Sequence, residues 1–247
     1  MSRLYALIPA GGGGTRAGLG VPKQYHAILG RPMLVHTIER LASALSFSGM
    51  FVAIAPGDEH YAAAIGARPG VEPLPCGGAT RAATVANALA MLSSRCGTDD
   101  WILVHDAARP CVPVEALQRL VETLGGDPVG GLLAVPVADT LKHGDGDTVE
   151  PRVARTEDRR QLWQAQTPQM FRYGPLCAAL RAFPEVTDEA GAIEAAGGRP
   201  RLVTGERHNF KVTTRDDLDL MAAWLATRRR TPGGPANGPL ERSEISR

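Results

Sequence analysis

The chain has 247 residues, 44% of them hydrophobic and 21% charged, enough for one α/β domain with a large buried core and too apolar for wholesale disorder. A formal net charge of +1 and an aromatic content of 5% exclude a general field toward nucleic acid or an anionic membrane, so neither is expected as a partner and anions must be bound locally. No apolar run approaches the ~20 residues of a membrane helix and no leader pattern stands at the start, so the expected location is the cytoplasm.

Leu4 to Pro9 reads as a short strand buried on both faces, followed by the glycine run Gly11 to Gly14 and a polar loop through Lys23. Pro32 suits the first turn of a helix, in which Leu34, Ile38, Leu41 and Leu45 share one face. Met50 to Ala55 is a second buried strand, closed by Pro56-Gly57-Asp58. A helix follows from Ala79 to Ser93, with Val85, Leu89 and Leu92 on its apolar face, then a buried strand from Trp101 to His105 that ends on Asp106. Val114, Leu117, Val121 and Leu124 form the next helical stripe, and Leu132 to Pro136 another strand.

From Ala138 to Gln161 the alternation stops, and the segment is polar and too long for an ordinary connection. It reads as a projecting hairpin or arm, or else as a disordered loop. Helices resume at Ala190–Ala196 and Leu218–Leu225; from Arg229 onward, Gly- and Pro-rich sequence reads as a flexible tail. Strands that look apolar on both faces, alternating with helices, imply a mostly parallel sheet covered on both sides, with ligands beyond the carboxyl ends of its strands. The glycine run, the Gly77-Gly78 pair and the Asp106–Arg109 turn all fall there.

In P-A-G-G-G-G-T-R-A-G-L-G-V-P-K-Q, consecutive glycines let backbone N–H groups approach anionic oxygens, and Arg16 and Lys23 add positive charge. The same residues could also form a tight turn with two solvated cations; the combination favours phosphate binding. Lys23 lies after Pro22 and before Gln24, which is not a Walker loop, and no acidic residue ends the second strand as a dinucleotide fold would require. In V-H-D-A-A-R-P, Asp106 could accept from sugar hydroxyls, help hold magnesium, or cap a helix and pair with Arg109; Arg109 could fork onto a phosphate. Strand alternation turns His105 away from Asp106. Gly77, Gly78, Arg81, Thr84, Thr140, Arg159, Thr167, Thr187 and Lys211 are further candidates. The four cysteines form no C-x-x-C pair and have no histidine at zinc-ligand spacing, so they read as core thiols. No nucleophile–base arrangement is legible.

Taken in order, P-A-G-G-G-G-T-R with P-K-Q-Y, G-G-A-T-R, V-H-D-A-A-R-P, D-R-R-Q-L-W-Q-A-Q-T-P-Q, T-D-E-A and N-F-K-V-T span roughly Leu4 to Leu225. In these blocks the sequence resembles the 2-C-methyl-D-erythritol 4-phosphate cytidylyltransferases. The resemblance implies a Rossmann-like nucleotidyltransferase fold over residues 1–228, with a dimerisation arm at about 138–161 and a tail at 229–247. It implies CTP and a polyol phosphate as substrates, Mg2+ held mainly by the CTP phosphates, and a homodimer with arm exchange. It places transition-state cations at Arg16 and Lys23, and a substrate-positioning pair at Arg159 and Lys211. CTP contacts fall on Ala10, Gly11, Gly12, Gly14, Gly78, Thr84, Asp106 and Ala107; substrate contacts fall on Asp106, Arg109, Thr140, Thr167 and Thr187. Thr140 and Arg159 would reach the site from the partner subunit. Gly13 stands where the family often has a bulky residue, and Thr84 where serine is more usual. The length leaves no room for the cyclase domain that some relatives fuse on.

The implied reaction needs no base, because a phosphate monoester is already an anionic nucleophile at neutral pH. Positioning and charge stabilisation remain as the protein's task. A ribitol 5-phosphate cytidylyltransferase shares the nucleotide half and is the nearest alternative. A non-catalytic nucleotide-binding protein is more remote, since it would not need Arg16, Lys23, Arg159 and Lys211 together.

Overall fold

The computed structural model describes residues 2–12, 21–146 and 149–229. In chain order, β1 (Leu4–Pro9) leads through a 3-10 turn (Lys23–Tyr25) to a small ribbon, β2 (Ala27–Ile28) and β3 (Arg31–Pro32), and then to α1 (Met33–Ala44). There follow β4 (Gly49–Ile54), α2 (Tyr61–Ile65), β5 (Val71–Pro75), α3 (Arg81–Met91), β6 (Trp101–Val104), α4 (Val114–Leu124) and β7 (Gly130–Pro136). The hairpin β8 (Lys142–Gly144) and β9 (Val153–Thr156) precedes a 3-10 turn (Arg159–Gln161). The last elements are β10 (Trp163–Arg172), α5 (Tyr173–Ala182), α6 (Glu189–Ala195), β11 (Arg201–Thr204) and α7 (Arg215–Arg229).

Seven strands form one sheet in the order β11-β7-β10-β6-β1-β4-β5. All neighbours are parallel except β10, which runs antiparallel to both β6 and β7. The chain moves outward from β1 to β4 and β5, then returns to the opposite side of β1 as β6. Connections therefore diverge between β1 and β6, which opens a crevice at the carboxyl ends of these two strands. The turns after β1 and after β6 flank it.

Alternation along β1 explains why the sheet is covered on both faces. Ala6 and Ile8 pack with Leu34, Ile38, Leu117 and Leu120 of α1 and α4. Tyr5 and Leu7 pack with Phe51, Val85, Leu89 and Leu176 on the α3/α5 side. Fully buried leucines such as Leu117 each contribute several kcal/mol; truncation to alanine costs about 2–5 kcal/mol. A third cluster sets Leu218, Met221 and Leu225 of α7 against Ile28, Met33, Cys111 and Val212. It fixes the segment before α7 beside the crevice.

The expected strands and helices are present, with differences in detail. Pro32 caps α1 rather than sitting inside its first turn. In α4 the buried stripe is Ala116, Leu117, Leu120 and Leu124, with Val114 and Val121 at its margins. The 138–161 segment contains an antiparallel hairpin, as the first of the two readings expects, and its described residues are almost all exposed. The tail beyond Arg229 lies outside the described residues, and α7 extends one residue past the expected boundary.

Candidate active site

The rim of the crevice is backbone. A Cβ on Gly11 would stand 2.8 Å from the Cα of Gly77, and one on Gly77 would stand 3.0 Å from the Cα of Gly11. Only glycine at both positions lets the turns after β1 and β5 touch main chain to main chain. Gln24, nearly buried, donates from Nε2 to the carbonyls of Ala10 (2.8 Å) and Gly12 (3.2 Å) and so holds the glycine turn from behind. Ala10 N–H donates to the Ala53 carbonyl at 2.7 Å. Across the rim, the Thr84 hydroxyl donates to the Thr80 carbonyl (2.9 Å) and accepts from Gly78 N–H (3.0 Å). Thr84 therefore shapes the Gly78 turn. The Thr80 side chain caps α3 by accepting from Ala83 N–H at 3.0 Å.

Beneath the rim, charged groups converge on Asp106. Its Oδ1 accepts from Arg81 Nε at 2.7 Å, its Oδ2 lies 2.8 Å from Lys211 Nζ, and Arg109 Nε stands off at 3.8 Å. Arg81 Nη1 and Nη2 grip the two oxygens of Glu189 at 2.8 and 3.1 Å. The alternative pairing of Asp106 with its own Arg109 is thus secondary, because Arg81 and Lys211 come closer and Arg109 Nη1 instead donates to the Asn209 carbonyl at 2.6 Å. Burial alone would raise the Asp106 pKa, but Arg81 and Lys211 hold it well below the usual carboxylate range. Burial opposes the Arg81 charge, yet Glu189 and Asp106 keep its pKa above the ordinary arginine value. Burial pushes Glu189 up and Arg109 down, with Arg81 and Asp106 respectively opposing.

The turn after β6 is locked by neutral bonds. Asp106 N–H donates to the Thr167 hydroxyl at 3.0 Å, and that hydroxyl lies 3.0 Å from His105 Nδ1. His105 Nε2 lies 3.0 Å from the Arg109 carbonyl, which can only accept. The tautomer follows: Nε2–H donates and Nδ1 accepts from Thr167. Burial pulls His105 down to about 4, so the ring is neutral at physiological pH. Ala107 is buried, and its carbonyl accepts from the Thr37 hydroxyl at 2.9 Å. The segment before α7 is stitched to this turn: Val212 N–H donates to the Ala108 carbonyl (2.9 Å), Lys23 Nζ to the Val212 carbonyl (2.6 Å), and buried Asn209 Nδ2 to the Thr167 carbonyl (2.9 Å).

Of the residues singled out in the sequence, Ala10, Gly11, Gly12, Gly78 and Thr84 thus line one side of the crevice, and Asp106, Ala107, Arg109, Thr167 and Lys211 the other. Lys23 joins the second group through Val212. Thr187 is exposed just before the Asp188 cap of α6. Thr140 and Arg159 are exposed at the two ends of the hairpin segment and, among the described residues, neither is bonded to Asp106, Arg109 or Lys211. Gly14 and Arg16 lie outside the described residues. Sequence reasoning missed Gln24, Asn209 and Glu189, and left Arg81 without a role. Each sits inside a motif block, within three positions of another candidate residue.

The model of the IspD family, 2-C-methyl-D-erythritol 4-phosphate cytidylyltransferase, matches residues 4–227. The chain belongs to this family. Among 2-C-methyl-D-erythritol 4-phosphate cytidylyltransferases, that of Dechloromonas aromatica is 49% identical over 233 residues, covering 93% of this chain and all of the relative. That of Bordetella petrii is 53% identical over 227 residues, covering 90% of this chain and 98% of the relative. A solved 4-diphosphocytidyl-2C-methyl-D-erythritol synthase superposes with a TM-score of 0.80 at 40% identity, covering 91% of this chain and 99% of the other. The mostly parallel α/β sheet is thus the architecture of the cytidylyltransferase family, and the glycine rim and the Asp106 cluster lie at its switch point.

Proposed function

We propose that the chain transfers CMP from CTP to 2-C-methyl-D-erythritol 4-phosphate at this crevice, giving 4-diphosphocytidyl-2-C-methyl-D-erythritol and pyrophosphate. The observation that carries the site assignment is the gathering of Arg81, Arg109 and Lys211 about Asp106, opposite a main-chain rim that only glycine permits. An oxygen of the acceptor phosphate attacks the α-phosphorus of CTP. The new P–O bond forms as the bond to the β-phosphate bridging oxygen breaks, and pyrophosphate carries away the electron pair and its charge. No proton has to move. The barrier is repulsion between anions, and fixed donors in a desolvated cleft lower it without reorganising.

In this reading Ala10, Gly11, Gly12, Gly14, Gly78, Asp106 and Ala107 contact CTP, and Thr84 acts by holding Gly78. Arg16 and Lys23 neutralise the triphosphate. Lys211 uses one of its three donors on Asp106 and can offer others to the acceptor phosphate, with Arg159. Asp106 keeps lone-pair directions for hydroxyls, and Arg109, Thr140, Thr167 and Thr187 complete the acceptor side. Thr167, whose hydroxyl already serves Asp106 and His105, works chiefly by fixing that turn.

The cytidylyltransferase domain covers residues 1–228 and the last residue of α7, Arg229, with the arm at 138–161. An isolated two-stranded hairpin is marginal in water. The exposed Leu141 and Val153 on this one support a second copy of the chain as its cover, bringing the partner subunit's Thr140 and the partner subunit's Arg159 to the site.

Among the described residues, no three His, Cys, Asp or Glu side chains come together to hold a metal, and both Asp106 oxygens are already paired. Magnesium is therefore assigned to the substrate, arriving on the phosphates of CTP. Among the described residues no helix is long and apolar enough to cross a membrane. The test is pyrophosphate release from each of the four nucleotides with methylerythritol phosphate and with ribitol phosphate. Release with CTP and methylerythritol phosphate at least tenfold above every other pair is expected; preference for ribitol phosphate would overturn the acceptor.

A further inference from the structure

The T-D-E-A block supplies the second carboxylate of the cluster around Arg81. Glu189, in the first turn of α6, has no exposed surface, and burial of an unpaired carboxylate would be strongly unfavourable. Its partner is Arg81, the first residue of α3, which follows the Gly77-Gly78 turn. Guanidinium is a rigid planar fork. Once Nη1 and Nη2 are fixed on Glu189 at 2.8 and 3.1 Å, the direction of Nε–H is fixed as well, and it points at Asp106 Oδ1, 2.7 Å away. Asp106 Oδ2 is left for Lys211 at 2.8 Å. Without the carboxylate at 189, the whole fork could turn onto Asp106, compete with Lys211 and draw the carboxylate off the crevice.

Asp188 is fixed at the same time. Its Oδ1 caps α6 by accepting from Gly191 N–H at 2.9 Å, and its Oδ2 accepts from Gln169 Nε2 at 2.8 Å. Gln169 Oε1 in turn accepts from Ala190 N–H at 2.8 Å. The start of α6 is therefore anchored to the sheet, so Glu189 is a rigid base for Arg81.

We infer that Glu189 is a positioning residue for the transfer reaction: it orients Arg81, which in turn sets the Asp106 carboxylate for the substrates. The inference rests on the functional reading above, in which Asp106 is the working carboxylate. Simple helix docking by the Arg81–Glu189 pair would not depend on Asp106, and this distinguishes the two.

The experiment is a double-mutant cycle in the full-length protein, using Glu189→Gln, Asp106→Asn and the pair, with pyrophosphate release as the readout and circular dichroism as the check on folding. Glu189→Gln is expected to lower kcat/KM for methylerythritol phosphate about 10–100-fold in the native background and less than about threefold in the Asp106→Asn background. Equal fold losses in both backgrounds would overturn the inference while leaving the site assignment intact. A loss below about threefold for Asp106→Asn alone would overturn both. If Glu189→Gln does not fold, Arg81→Lys, which keeps the charge but cannot fork, takes its place in the cycle with the same expected collapse of its effect.

Discussion

Substitution of Gly11 by alanine tests the rim of the crevice directly. Gly11 is not in the left-handed region, so alanine is conformationally allowed, and the effect must come from contact. The new Cβ would stand 2.8 Å from the Gly77 Cα and 3.5 Å from the Thr84 side chain. Ordinary contact begins near 3.4 Å, so the two turns must separate by roughly 0.6 Å, and the neighbour is main chain that cannot rotate away. Overpacking of this kind costs about 1–3 kcal/mol. At about 2–4 °C per kcal/mol for a domain of this size, Tm should fall by about 2–12 °C. A displacement approaching 1 Å at a reacting centre costs about 10²-fold in rate, so kcat/KM for CTP should drop by about 10–100-fold. Gly12→Ala is the companion, because among the described residues nothing lies within 4 Å of a Cβ there. Its Tm should stay within about 1 °C, and any loss of kcat/KM for CTP would report ligand contact alone. Thermal melts and steady-state kinetics on both variants provide the readout. Gly11→Ala with native Tm and activity within threefold would refute the argument that glycine is required where the turns meet.

Lys23→Ala should lower kcat by about 10²–10³, the loss typical of one preorganised charge donor; a steady-state loss below about threefold would remove Lys23 from the mechanism. Mixing Lys23→Ala and Arg159→Ala subunits should restore part of the activity if arms are exchanged in a dimer, and no recovery after verified subunit exchange would count against a shared site. Stability should depend on His105. Its folded value of about 4 lies below the ordinary 6.5, so the unfolded chain binds the extra proton first as pH falls. Its effect on folding is nil above about pH 7 and grows unfavourable down to about pH 4, reaching about 2 kcal/mol at pH 5. Urea unfolding at pH 7 and 5 should show that difference, and His105→Asn should shrink it; an unchanged pH dependence in the variant would exclude His105 as its source.

The parts of the fold that were legible in the sequence are those where one physical signal dominates. β1, β4, β6 and β7 are continuous apolar runs, and α1, α3 and α4 carry a clear helical stripe. β10 escaped because it is buried yet polar: Gln166 and Gln169 are nearly inaccessible but satisfied by the Glu206 carbonyl, Asn209, Asp188 and Ala190. Its register also shifts between Ala165 and Gln169, which breaks the period of two. β5, with Pro73 and Pro75, is tolerable only as the edge strand that it is. At the site, the types of residue were legible but their partners were not. Asp106 and Arg109 are neighbours in sequence, and pairing them was the local solution. Arg81 and Lys211 reach Asp106 across 25 and 105 positions of chain, through contacts that only the tertiary fold creates. Glu189 carried a signal in T-D-E-A, but nothing local says that its charge is buried.

A structure of the protein with CTP bound tests the central claim most directly. The triphosphate should lie along the Gly11–Gly12 turn, within hydrogen-bond reach of Lys23, with the ribose beside Asp106. A triphosphate bound elsewhere, away from the glycine rim and Lys23, would contradict the account.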